Sequence, residues 1–81
     1  MITLNDLTTG DICTVAEILN TGSMRRRFHD IGLIKGTEIQ CVGESPSKDP
    51  KAFLIRGAVI AIRSEDSSLV VVKRVKKDGT D

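Results

Sequence analysis

The sequence has no tyrosine and no tryptophan, and its aromatic complement is Phe28 and Phe53 alone. Modules that stack nucleic-acid bases or grip proline-rich peptides line their surfaces with aromatic rings, so both functions are poorly served. Charge of one sign is lacking too. Twelve Lys and Arg stand against eleven Asp and Glu, for a formal net charge of +1. A dedicated nucleic-acid binder carries a basic excess, so no nucleic-acid partner is expected. No apolar run approaches the roughly 20 residues that cross a bilayer, and no direct membrane insertion is expected. The opening Met1-Ile2-Thr3-Leu4-Asn5 lacks the basic and apolar regions of a secretory leader, which makes the cytoplasm the default compartment. Two cysteines, Cys13 and Cys41, are too few for a disulfide framework or a four-thiolate zinc site. The single histidine has no second group at a spacing that suggests a nucleophile–base pair. Gly32-Leu33-Ile34-Lys35-Gly36 lacks the Gly-Lys-Ser/Thr ending of a phosphate loop. Neither an enzyme nor a cofactor is expected.

What is present fits one small domain. The chain has 81 residues, 40% hydrophobic and 28% charged, a globular composition with room for a modest core. Residues 1–75 read as that domain and residues 76–81 as a flexible polar tail. Leu4 and Leu7 dock an opening turn. Asp11–Ile18 is rich in strand formers. Ser23, with Thr21 as the alternative, caps a short helix through Ile31. Met24, Phe28 and Ile31 form one apolar stripe at i, i+4 and i+7, and Gly32 follows where a helix ends in left-handed backbone.

After Leu33 packs and Lys35-Gly36 turns, residues 37–44 read as a second strand, with Val42 weakening its alternation. Ser45-Pro46-Ser47-Lys48-Asp49-Pro50 is a loop on turn chemistry. Residues 51–56 and 58–63 are strands separated by Gly57, residues 64–68 a polar turn, and residues 69–75 the last strand. Alternation assigns to the core Cys13, Val15, Ile39, Cys41, Phe53, Ile55, Ile60, Ile62, Val70 and Val72. Met24, Phe28, Ile31 and Leu33 join them, with Gly32, Gly36 and Gly57 at structural turns. About five short strands and one inserted helix argue for a mostly β, strongly bent small barrel, whose closure would remove open sheet edges.

The string Arg25-Arg26-Arg27-Phe28-His29-Asp30-Ile31-Gly32-Leu33-Ile34-Lys35-Gly36-Thr37-Glu38-Ile39 resembles the signature of the FeoA family, small proteins associated with bacterial ferrous iron uptake. Leu7-x-x-Gly10, Pro46-x-x-Asp49-Pro50, Arg56-Gly57 and Ile62-Arg63 agree in order and spacing, so the resemblance spans roughly residues 4–73. Lys35, Ser47, Lys51 and Ser67 depart from the family pattern. The resemblance implies an SH3-like barrel and a partner, the FeoB membrane transporter of ferrous iron. The same module resembles the C-terminal domain of DtxR-type metal-dependent repressors, which leaves a regulatory domain, or a metal-ion-binding module, as the alternative. A non-enzymatic accessory protein, monomeric by preference, is the expectation.

Candidate partner-binding residues are Arg25, Arg26, His29, Lys48 and Asp49. Three consecutive arginines in the first helical turn would oppose the macrodipole at ~0.3–1 kcal/mol each, and a broken local rule marks a place to look for function. Arg25, Arg26 and His29 fall away from the apolar stripe, where arginine forks can take carboxylates or phosphates. The plainer alternative is a solvated face with an Arg26–Asp30 pair at i, i+4. Arg27 flanks the stripe. Lys48 and Asp49 belong to the proline-stiffened loop, of a kind that often makes contacts. Cys13, Cys41 and His29 have poor spacing for a metal, and two core thiols with a surface histidine are favoured. The basic run Lys73-Arg74-Val75-Lys76-Lys77 reads as protection of an edge strand.

Overall fold

The computed structural model describes residues 1–77. Six strands form one antiparallel sheet: β1 (Ile2–Thr3), β2 (Asp11–Ile18), β3 (Glu38–Glu44), β4 (Lys51–Ile55), β5 (Ala58–Ile62) and β6 (Val70–Lys77), in the order β1-β6-β2-β3-β4-β5. A 3₁₀ turn covers Leu4–Asp6, and two helices are inserted, α1 (Gly22–Asp30) and the single turn α2 (Ser64–Ser67). The strand beyond the expected five is β1. Two residues carry no periodicity, and it pairs with Val71 and Val72 of a strand far along the chain.

The strand that reads as ending at residue 75 runs to Lys77, because Lys76 and Lys77 pair with Ile12 and Asp11. Two residues of the expected tail are therefore β-strand, and the rest of that tail lies outside the described residues. Nor is β6 an edge. It lies between β1 and β2, and Arg74 Nη2 sits 3.4 Å from the buried Asp11 carboxylate. Only beyond Val72, where β1 stops, does one side of β6 lose its neighbour.

Bulges bend the sheet. In β3, Cys41 faces Phe53 and Gly43 faces Ala52, so Val42 is the inserted residue and turns outward. That is why the sequence alternation fails there. Against β6, β2 carries two further irregularities, one between Ile12 and Cys13 and one at Ala16, between Val15 and Glu17. The β4–β5 hairpin closes through Arg56 and Gly57 at φ 51° and 85°, the paired positive values that match strand twist in a two-residue turn.

Bending brings the two ends of the sheet together. The Lys51 ammonium, on β4, donates to the carbonyls of Asn5 and Leu7 at 2.7 Å each, and Thr9 Oγ1 meets Glu44 at 3.4 Å. Helix α2, after β5, packs against the 3₁₀ turn that follows β1. Between these walls lies one core built from Leu4, Leu7, Cys13, Val15, Phe28, Leu33, Ile39, Cys41, Phe53, Ile55, Ile62, Val70 and Val72, with Ile18, Met24, Ile31 and Ile60 packed at its rim. The sheet order runs from β1 to β5 without a ladder between them. The roll is thus closed by side chains and helical turns, and the expectation that closure removes both open edges is corrected: β5 keeps one side unpaired.

Candidate functional site

The site grows out of α1. Its N-cap is Thr21, whose side chain makes no capping hydrogen bond, and Ser23 is the second helical residue rather than the cap. This earlier start moves the arginines. Arg25 and Arg26 occupy the second turn, and Arg27 lies with His29 in the last turn, where the macrodipole favours cations. The expected clash with the helix N-terminus is therefore relieved. Phe28 is buried, Met24 and Ile31 are half-buried, and Arg25, Arg26, Arg27 and His29 are exposed.

The helix stops through its backbone. Leu33 N donates to Phe28 O at 2.8 Å and Gly32 N to His29 O at 3.1 Å, the paired C-terminal bonds that need left-handed backbone between them. Gly32 supplies it at φ 85°. A Cβ there would also lie 2.9 Å from Arg56 Cγ, and Arg56 Nε reaches Gly32 O at 3.3 Å. Thr37 Oγ1 donates to the same carbonyl at 2.8 Å and accepts from Ile34 N at 3.2 Å. Val15 N to Thr37 O and Gly36 N to Val15 O tie this segment to β2.

Between α1, β2 and this laced segment opens a solvent-facing cleft of about 640 Å³, bordered by Glu17 and Ile18, Arg25 and His29, and Ile34 and Lys35. Its lining mixes Ala16, Ile18, Leu33 and Ile34 with three basic groups, Arg25, His29 and Lys35, and the carboxylate Glu17. A second, shallower depression on the helix joins Arg26 to Arg25 and His29. Helical spacing alone brings these three together, at i, i+1 and i+4. Glu17, Ile34 and Lys35 were missed from sequence because they arrive from other elements.

Arg25 has a structural duty: its Nη1 donates to Ile18 O at 2.7 Å, holding the helix to the end of β2. No ion pair joins Arg26 to Asp30 among the described residues, whose ion pairs are Lys51–Glu44 and Arg74–Asp11. Arg26 and His29 are thus the exposed groups of this face without a structural task in hand.

Lys48 and Asp49 lie elsewhere, in the β3–β4 connection, and do not border the cleft. Lys48 is held at φ 65°. Asp49 accepts from Ser64 N and Ser64 Oγ at 2.9 Å each, capping α2 from fifteen residues upstream. Those bonds, the backbone one foremost, hold its carboxyl below the usual carboxylate value.

Cys13 and Cys41 are free thiols in the core. Cys13 stands opposite Ile39, which makes Cys41 its diagonal neighbour on the inner face. Burial raises both, Cys13 to about 12, so both are protonated and unreactive at neutral pH. His29 is across the sheet from neither of them but in the open cleft. Among the described residues no group of three or more His, Cys, Asp or Glu is placed to hold a metal ion, and no helix is long and apolar enough to cross a membrane.

Comparison with known proteins agrees with this architecture. Residues 2–74 match the FeoA domain family. No curated protein matches the chain. Among solved structures, the iron(II) transport protein A of Clostridium thermocellum superposes with a TM-score of 0.87 at 24% identity, over 91% of this chain and 46% of that one. This chain therefore spans less than half the length of that relative. A FeoA-like protein of Clostridium acetobutylicum gives 0.84 at 28% identity, over 99% and 93% of the two chains. FeoA of Stenotrophomonas maltophilia, solved with zinc and described as an SH3 domain protein possibly acting as a ferrous iron transport activating factor, gives 0.80 at 23%, over 90% and 91%. A match over nearly every described residue, on the same rolled sheet, assigns the chain to the FeoA family, with an SH3-like fold.

Proposed function

We propose that this protein is a non-enzymatic, cytoplasmic accessory factor of bacterial ferrous iron uptake that acts by docking on the cytoplasmic side of the FeoB transporter. Family membership over residues 2–74 supports the iron link. The observation that carries the docking mode is this face: exposed His29 borders the cleft beside Ile18 and Ile34, exposed Arg26 borders the adjoining depression, and Arg25 between them is already pinned to the backbone. A preformed, partly apolar surface with a few fixed polar groups suits recognition more than chemistry. To regulate transport, the protein must bind two transporter states with different affinity, since equal affinity shifts nothing.

The repressor-like alternative draws on the shared fold alone. Net charge is +1 and both phenylalanines are buried, so the chain has neither an overall basic excess nor a stacking platform for nucleic acid. The test is a pull-down against the cytoplasmic region of FeoB. Arg26→Glu with His29→Glu is expected to abolish capture while thermal melting stays unchanged. A folded double variant captured as well as the parent would overturn the proposed site. A parent protein that is never captured would overturn the proposed partner.

A further inference from the structure

The two edge strands of the sheet are unequal. β1 is two residues long, whereas β5 runs five residues, Ala58–Ile62, and is paired on its β4 side only. The two-residue turn at Arg56-Gly57 makes Ile55 and Ala58 a hydrogen-bonded pair. Alternation along an antiparallel ladder then makes Phe53/Ile60 and Lys51/Ile62 the next bonded pairs. Val59 and Ala61 therefore aim their N–H and C=O groups away from β4, toward solvent.

Natural sheets blunt such an edge with a charge, a proline, a bulge or a very short strand. Ala58-Val59-Ile60-Ala61-Ile62 has none of these: it is uncharged, free of proline and continuous in register. Val59 is 66% exposed. The charges stand just outside, at the exposed Arg56 and Arg63.

We propose that β5 is a docking edge that accepts one extended strand from a partner protein, apolar in its middle and acidic at both ends. The paired backbone groups would supply binding and the end charges register. Ala58 to Arg63 spans roughly 17 Å along the strand and Arg56 flanks the other end from the turn, so the acidic groups sit about six positions apart. A second copy of this chain is the poorer occupant. Antiparallel self-pairing centred on Ile60 would place Arg63 of each copy opposite Gly57 of the other, one residue from its Arg56, crowding like charges at both ends of the seam. This edge is separate from the cleft of α1, and the proposal does not rest on the ferrous-iron function.

The probe is a capped peptide of alternating valine and threonine with two glutamates at each end, titrated into the isotope-labelled full chain at low salt. Saturation is expected to slow amide exchange at Val59 and Ala61 by about tenfold or more, with little change at Ala58 and Ile60. A lysine-ended peptide should bind at least about tenfold more weakly. Ala61→Pro removes an outward N–H and leaves the β4 ladder intact, so it should abolish binding. Val59→Glu, which restores an edge charge and repels the acidic probe, should do the same and serves if the proline variant fails to fold. Absence of binding, equal binding of the two peptides, or protection confined to the α1 cleft would each overturn the proposal. Protection of Val59 and Ala61 that grows with protein concentration alone would overturn it in favour of a self-associating edge.

Discussion

Lys51 illustrates how much a single side chain can hold in so small a fold. Its side chain is 10% exposed, its ammonium donates to two backbone carbonyls, and Glu44 lies 3.8 Å away. A charge this enclosed is stable only when its protons are used. Lys51→Met keeps the aliphatic stem but leaves the Asn5 and Leu7 carbonyls without a donor. A loss of about 2–3 kcal/mol in urea denaturation is expected. Nothing in the sequence announces this role, since lysine at the start of a strand looks like a solvated rim. Gly32 is the second such residue. Gly32→Ala meets both an unfavourable positive φ and the Arg56 stem, and should cost about 1–2 kcal/mol. Arg56→Ala added to it should recover the steric part alone, so the double variant stays below the parent in the same denaturation series. Here the sequence was informative: a glycine directly after an apolar helical stripe marks a left-handed stop.

At the scale of elements, the strands and α1 were legible because their apolar positions keep a period. Phe28 and Leu33, Ile39 and Cys41, and Phe53 and Ile55 all lie in the core. What escaped were features set by distant chain. β1 exists because Val71 and Val72 offer it an edge. The first residue of α1 moved because no side-chain cap marks it. The candidate site divided along the same line. Arg25, Arg26 and His29 share a helix face, while Asp49 serves α2 across fifteen residues. That service has a pH signature. The Asp49 carboxyl is held below its ordinary value of 3.8, so its contribution is present above that pH and is lost as pH falls through the folded value. Melting temperatures of the parent and of Asp49→Asn should therefore differ at neutral pH and converge on acidification below about pH 4.

For the whole molecule, the sealed core sets chemical behaviour. Cys13 keeps its proton until about pH 12, against 9.0 for an unburied thiol. Above pH 9 the unfolded chain loses a proton that the folded one retains, so stability falls as pH rises through that window. Denaturation midpoints should drop between about pH 9 and pH 11, and less steeply in Cys13→Ala. At pH 8 a thiol reagent should label the native protein only as fast as it opens. The roll itself was foreseeable from many short strands in few residues; its seam was not, because it depends on Lys51, Thr9 and α2 rather than on a repeating pattern.

The place of β6 has a consequence for how the protein comes into being. This strand, late in the chain, is the one between β1 and β2. As the polypeptide leaves the ribosome, β1 and one whole flank of β2 have no neighbour until residues 70–77 emerge. Leu4, Leu7 and Val15 must wait, wet and exposed, for that arrival. Such distant pairing slows acquisition of the native state, and nascent chains halted before Val70 should be sensitive to proteases that spare the finished protein.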